Sequence, residues 1–151
     1  MPCRRDIDPT DLPTLLPNLQ LIDVALGDRF RYRLIGTALV EAFGRDYTGQ
    51  YADELFVGVR AESIATVYRA VRDGQTSMFL RSRYLTTKDI DLVANRLYLP
   101  LSGNGRDVNM ILGALTFEFG AAESVAGAWG SARLDTGGSR AEVVDVDRVL
   151  I

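Results

Sequence analysis

The stretch Arg29–Ile35 alternates between large apolar side chains and charged ones. The apolar set is Phe30, Tyr32 and Leu34, and the intervening residues are all arginines. Because successive side chains of a strand point to opposite faces, this pattern predicts a strand with one covered and one solvated face. A glycine–aspartate turn separates it from a second strand-like stretch, Leu19–Ala25. The two stretches are therefore expected to form an antiparallel hairpin.

From residue 36 to residue 74 the apolar period changes from that of a strand to that of a helix. Thr37–Phe43 is predicted to be a short helix ended by Gly44, and residues 51–57 a further helical turn. Residues 60–73 carry apolar side chains at i, i+3, i+4 and i+7, the spacing of an amphipathic helix. These positions are Ile64, Val67, Tyr68 and Val71.

The second half of the chain returns to strand character over residues 76–85, 90–102 and 108–119. Pro100 is expected near an edge or an end of its strand, and Asn104-Gly105 predicts the turn of a hairpin. The element order is then β-β-α-α-α-β-β-β. It favours the α+β class, with an antiparallel sheet covered by helices on one face.

The two ends of the chain differ in character from this central part. Asp11 is expected to cap a short N-terminal helix in which Leu15 and Leu16 face the core. Residues 120–140 are rich in Gly, Ala and Ser and are predicted to be a linker, and residues 141–151 an apolar C-terminal segment. The predicted division is a domain over 1–119 and a linker with its apolar segment over 120–151.

Composition excludes several classes of function. The chain has no histidine and one cysteine, Cys3, so it lacks the usual general base and cannot form an internal disulfide or a multi-cysteine metal site. A net charge of −3 and a pI near 5.0 disfavour nucleic acid and anionic membranes as partners. With no long apolar run and no signal-peptide pattern, a cytoplasmic protein is expected.

Four segments resemble the standalone bacterial PAS domains of the PAS_5 type. They are Arg-Asp-Ile-Asp-Pro (5–9), Phe-Arg-Tyr-Arg-Leu-Ile-Gly-Thr (30–37), Gly-Arg-Asp-Tyr-Thr-Gly (44–49) and Leu-Pro-Leu-Ser (99–102). The resemblance implies a five-stranded antiparallel sheet flanked by helices and a sensory or signalling role, with self-association as a homodimer. Relatives tend to carry one more helix upstream, which leaves open whether the natural start lies before Met1.

The resemblance also allows known cofactor classes to be compared with the residues present. Haem sensors of the superfamily use an axial histidine, and this chain has none. Blue-light flavin sensors and photoactive-yellow-type pigments use an internal cysteine, whereas Cys3 is terminal. Histidine-ligated haem and cysteine-linked flavin are therefore disfavoured, and the cofactor, if there is one, stays unidentified.

In a PAS-like fold the space between the sheet and its helices is the usual pocket. The residues expected to face it are Tyr32, Leu34, Phe43, Tyr68, Met78, Leu80, Arg96 and Tyr98. Arg96 interrupts an apolar strand and is expected to reach a bound anion, helped by any of Arg33, Arg81 and Arg83 that converge on it. The alternatives are ordinary core packing for the aromatic residues and surface ion pairs for the arginines.

Three functions remain open at this stage. The first is a sensory domain that binds a small molecule or relays a signal through dimerisation. The second is a ligand-free interaction module that uses its sheet face or residues 143–151. The third, a histidine-free enzyme, is disfavoured because it needs a cleft with a strongly shifted carboxyl or tyrosine pKa.

Overall fold

The computed structural model describes residues 1–85, 91–119, 133–136 and 139–142. Five strands form one antiparallel sheet in the order β2-β1-β5-β4-β3. Three helices lie between the second and third strands in the chain. The elements are β1 (Leu19–Ala25), β2 (Arg29–Ile35), α1 (Thr37–Phe43), α2 (Ala52–Leu55), α3 (Gly58–Gly74), β3 (Met78–Leu85), β4 (Asp91–Ser102) and β5 (Val108–Phe119). The α+β class and the five-stranded antiparallel sheet are confirmed.

The predicted β1–β2 hairpin forms around Gly27 and Asp28, whose φ angles are +73° and +62°. Aspartate is among the few residues other than glycine that tolerate this left-handed conformation. The Asp28 carboxylate then accepts hydrogen bonds from Arg69 Nε, at 2.6 Å, and from Arg72 Nη1. These bonds tie the hairpin turn to helix α3.

A β-bulge in this hairpin changes which side chains face the helices. Leu21 pairs with Leu34 but Ile22 pairs with Tyr32, so Arg33 is left as an extra residue. Because one inserted residue reverses the alternation, Leu34 lies on the opposite face from Tyr32 and is 49% exposed. The prediction that Leu34 faces the pocket is wrong for this reason.

Helix α3 lies across the sheet with the face that its apolar spacing predicts. Tyr68 and Val71 are buried in the main core, and Ile64 and Val67 pack against it. The helix begins at Gly58, two residues before the predicted start, and ends at Gly74, as expected. The inner face of the sheet and α3 therefore enclose the centre of the molecule.

The long β4–β5 hairpin turns at the predicted place. Asn104 Oδ1 accepts the N–H groups of Arg106 and Asp107 at 2.9 Å, and Gly105 has φ +79°. Pro100 lies beyond Tyr98, the last β4 residue that pairs with β3 in that direction. Pro100 therefore has no β3 residue beside it that would need an N–H donor, in agreement with its predicted position near an edge or an end.

The N-terminal segment does not form the predicted helix. It contains three single turns of 3-10 helix, Arg4–Asp6, Pro9–Asp11 and Leu16–Asn18. Leu15 and Leu16 are 44% and 39% exposed rather than buried. Two prolines within five residues remove N–H donors before an α-helix can propagate, which explains the difference.

Past Phe119 the structure describes only two short strands, β6 (Arg133–Thr136) and β7 (Ser139–Glu142), paired antiparallel. Regular backbone pairing thus occurs inside the stretch predicted to be a linker. β7 extends two residues into the predicted apolar segment, the rest of residues 120–151 lies outside the described residues, and the domain boundary at 119 stays a prediction. No described helix is long and apolar enough to span a lipid bilayer.

Candidate functional site

A partly enclosed cavity of about 80 Å³ lies between the inner face of the sheet and the helices. On this scale one water molecule needs about 10–15 Å³, so the cavity has room for roughly five to eight water-sized spheres. Seven of its described lining residues are aromatic. The lining comprises Gln20, Tyr32, Phe43, Tyr47, Phe56, Arg60, Ser63, Ile64, Val67, Tyr68, Ala94, Arg96, Tyr98, Leu115 and Phe117.

Three buried tyrosines from different elements form one wall. The hydroxyl groups of Tyr32 and Tyr68 lie 3.0 Å apart and share a hydrogen bond, and Tyr68 also bonds to the Tyr98 hydroxyl. The Tyr68 ring meets those of Tyr32 and Tyr98 edge to face, with centroids 6.5 and 5.4 Å apart. Burial raises the pKa of Tyr32 and that of Tyr68 well above the ordinary value, so both hydroxyls stay neutral at physiological pH.

A second aromatic group adjoins this wall, because the Tyr47 ring meets that of Tyr32 edge to face with centroids 5.7 Å apart. Phe43, at the end of α1, packs against Tyr47 and against Phe117 of β5, with ring centroids 5.3 and 5.7 Å apart. Tyr47 also meets Phe56 edge to face. The turn that carries Tyr47 is held by Asp46, whose Oδ1 accepts the Thr48 N–H at 2.8 Å. Desolvation raises the pKa of Tyr47 to about 12.

Two arginines bring positive charge to these aromatic walls. Arg96 of β4 donates from Nη2 to the buried hydroxyl of Ser82 at 2.5 Å, which directs its side chain along the inner face. Arg60, in the first turn of α3, places its guanidinium 4.6 Å from the centroid of the Phe56 ring. Its charge also favours the phenolate forms of Tyr32 and Tyr47, although desolvation outweighs that effect on their pKa values.

Five of the eight sequence-predicted site residues line the cavity: Tyr32, Phe43, Tyr68, Arg96 and Tyr98. Met78 and Leu80 are buried on the inner face of β3, within the core and outside the cavity wall. Leu34 is on the outer face. Whether any of the eight binds a ligand stays a prediction.

The expected convergence of several strand arginines does not occur among the described side chains. Arg33 pairs with Asp23 on the outer face, and Arg81 pairs with Glu118. Only Arg96 of this group lines the cavity, and the side chain of Arg83 lies outside the description. The surface ion pairs considered as the alternative therefore account for Arg33 and Arg81.

Sequence reasoning missed four polar residues of the cavity, Gln20, Tyr47, Arg60 and Ser63, although a signal was present for Arg60 and for Gln20. Arg60 precedes Ile64 by four positions and Val67 by seven, so helical periodicity places it on the sheet-facing side of α3. Gln20 lies two residues before Ile22 in β1, so the two side chains share a face of the strand. Ile22 is fully buried on the inner face. Neither residue was among the predicted site residues.

Among the described residues no group of three or more His, Cys, Asp or Glu side chains is placed to hold a metal ion. The described lining also contains no side chain of these four types. What it offers chemically is hydrogen bonding, cation–π contact and ring stacking. Such a site suits recognition of a small molecule.

The fold and the cavity define a class of small sensor-like α+β domains, in which helices cover one face of an antiparallel sheet. The sequence model of the PAS domain family, PAS_5, matches residues 1–116, and the chain belongs to that family. Its fold is similar to the crystal structure of a Rhodobacter sphaeroides LOV protein, with a TM-score of 0.51 and 16% identity. That match covers 79% of this chain and 72% of the other. No curated protein is significantly similar.

Proposed function

We propose that this chain is a sensory domain whose signal is the occupation of the cavity by a small molecule. PAS domains are generally sensory or signalling modules, and this chain has their fold. The observation that carries the proposal is the cavity itself. Protein interiors are packed so closely that voids larger than one water molecule are few, and an aromatic-walled space of about 80 Å³ is an exception.

Signal relay follows from which elements line the cavity. Val67 and Tyr68 belong to α3, whereas Tyr98 and Phe117 belong to the two longest strands. A molecule between them contacts helix and sheet together, so its free energy of binding depends on their relative position. Occupation would thereby shift how α3 packs on the sheet, with self-association of the domain as the output.

The chemistry of the lining argues for sensing rather than catalysis. Catalysis at neutral pH needs a group that exchanges protons there, and the described lining offers only tyrosines and arginines as ionisable side chains. The pKa values of Tyr32, Tyr47 and Tyr68 are raised away from neutrality. The proposal accordingly includes no enzymatic activity, and it retains the cytoplasm as the place where the domain acts.

Native mass spectrometry of protein purified without added ligand tests the proposal. A retained small molecule is expected in the wild type and is expected to be absent from Ala94→Leu, because Ala94 lines the cavity and the larger side chain fills it. Ala114→Leu is the matched control, since Ala114 pairs with Leu97 and faces the other side of the sheet. A mass without adduct for the wild type, together with no small-molecule binding in solution, would refute the proposal.

A ligand-free interaction module is the second candidate, favoured by apolar side chains on the outer face of the sheet. Phe79 and Leu97, neighbours on β3 and β4, are 44% and 36% exposed. If this face mediates self-association, Leu97→Ser reduces the molar mass measured by light scattering, whereas Leu26→Ser, in an exposed turn, does not. Truncation after residue 120 tests the C-terminal segment in the same assay. A monomeric wild type would exclude this candidate.

A further inference from the structure

We infer that the molecule bound in the cavity is a small aromatic monocarboxylate whose anionic group is received by Arg60 and Gln20. The inference rests on the proposed function, because it specifies the ligand class of the same site. It depends on three observations: the charge of the lining, an amide side chain in the wall, and the aromatic character of the walls.

The charge of the lining favours an anion. Arg60 and Arg96 both line the cavity, and no carboxylate is among the described lining residues. Arg60 forms no ion pair with any carboxylate that the structure describes. Its guanidinium lies over the Phe56 ring in a cation–π contact. A guanidinium stays charged at any physiological pH and presents a planar fork of donors that matches a carboxylate. A positive cavity in a chain of net charge −3 therefore selects an anionic group.

Gln20 supplies the independent observation that points to a ligand. It is only 3% exposed and lines the cavity. Yet its side-chain amide makes no hydrogen bond to any residue in the described part of the chain. Gly113 creates the room it occupies, since a Cβ there would meet Gln20 Cγ at 2.7 Å and Nε2 at 2.9 Å. Gln20 thus supplies an amide donor, Nε2, to the lining, and a bound carboxylate oxygen would accept from it.

The Tyr47 hydroxyl adds a further hydrogen-bonding group. Tyr47 is 7% exposed, lines the cavity, and its hydroxyl makes no hydrogen bond within the described residues. The positive charge of Arg60 acts on this hydroxyl. A carboxylate that pairs with Arg60 would therefore have a neutral donor at hand as well, because the raised pKa keeps Tyr47 protonated.

The walls of the cavity suit one flat ring, and its size limits the ligand to a small one. Its volume of about 80 Å³ is small against the roughly 300–1,000 Å³ of sites for drug-sized ligands. Phe43, Tyr47 and Phe117 meet at centroid distances of 5.3 and 5.7 Å, the spacing at which aromatic rings attract one another. A single aromatic ring lying against them extends that packing, whereas a long acid does not fit the volume.

Isothermal titration calorimetry with benzoate and its neutral isostere benzamide tests the inference. Wild type is expected to bind benzoate at least about tenfold more tightly than benzamide, since a hydrogen bond to a charged group contributes more than one to a neutral group. Arg60→Gln is expected to remove most of that preference and Gln20→Leu to reduce it. Arg106→Gln, which removes the same charge from an exposed turn far from the lining, is expected to leave it unchanged.

The outcomes separate this inference from the proposed function. Equal affinities of wild type for benzoate and benzamide, or undiminished benzoate preference in Arg60→Gln, would overturn the carboxylate class while leaving the sensing proposal intact. Binding of neither probe, with a different molecule retained in native mass spectrometry, would also overturn the ligand class alone. Binding of neither probe to a protein that retains nothing would overturn both.

Discussion

Replacing Tyr68 by phenylalanine tests the hydroxyl network that forms one wall of the cavity. The ring of Tyr68 is 2% exposed and keeps its edge-to-face contacts with Phe30, Tyr32 and Tyr98 in the variant. What is lost is the hydroxyl that bonds to Tyr32 at 3.0 Å and to Tyr98. The substitution thus removes hydrogen bonds at nearly constant packing.

The expected cost follows from the burial of the partners. Tyr32 is 3% exposed, so its hydroxyl is shielded from bulk solvent and loses its protein partner. A buried polar group left without a partner costs about 1–3 kcal/mol. For a chain of this size that corresponds to a fall in melting temperature of roughly 2–12 °C. The free energy of unfolding, measured by urea denaturation with circular dichroism, is therefore expected to fall by about 1–3 kcal/mol.

Tyr51→Phe is the matched control for this measurement. Tyr51 is half-buried, its ring stacks under the Arg29 guanidinium at 3.8 Å, and its hydroxyl is not hydrogen-bonded within the described residues. Its removal is expected to change the free energy of unfolding by less than about 0.5 kcal/mol, as surface substitutions usually do. If Tyr68→Phe is no less stable than Tyr51→Phe, the three hydroxyls do not stabilise the fold, and the reasoning fails.

Three further predictions concern stability. Gly113→Ala is expected to destabilise by about 1–3 kcal/mol in the same urea assay because its Cβ meets Gln20, whereas Gly103→Ala is expected to cost less because it meets only the end of a flexible side chain. Arg72 and Arg69 of α3 lower the pKa of Asp28 below its usual value of 3.8. The ion pairs therefore stabilise the fold fully above pH 3.8, and this stabilisation is lost as the pH falls through the lowered pKa of Asp28. Asp28→Asn should therefore flatten the acid limb of the melting-temperature profile; an unchanged profile would contradict this. Burial raises the pKa of Tyr47 from 10.0 to about 12, because the folded protein favours the neutral hydroxyl. The folding stability that this residue contributes below pH 10 is therefore lost as the pH rises towards 12. Tyr47→Phe should reduce that alkaline loss, and an identical profile would argue against a desolvated hydroxyl.

The strands and helices were largely predictable because their periods are written in the residues. The alternation of β2 and the 3.6-residue spacing of α3 each follow from burial of one face, and both elements lie within two residues of their predicted bounds. Gly44 marks the end of α1, and Asn104–Gly105 marks the turn between β4 and β5. Few residues other than glycine adopt the left-handed backbone that Gly44 and Gly105 have. The predicted N-terminal helix does not form because Pro13 and Pro17 leave too few N–H donors between them for an α-helix to propagate.

Site membership was less predictable than secondary structure. Leu34 was assigned to the pocket because alternation was extended through the whole of β2, and the bulge at Arg33 depends on pairing with β1, a partner outside the local sequence. Arg60 and Gln20 were missed for the opposite reason. Only apolar side chains were used to define the inward faces, although the positions of Arg60 in α3 and Gln20 in β1 place them inward.

The sequence by itself determined the class of fold, the order of elements and the absence of histidine and of an internal cysteine, because composition and local periodicity are properties of the chain alone. Only the tertiary structure decided that Tyr32, Tyr68 and Tyr98 join through their hydroxyls and that Gln20 and Arg60 face the same cavity. The physical reason is distance along the chain. These contacts join residues dozens of positions apart, and which of them meet is set by strand register and by how α3 lies on the sheet.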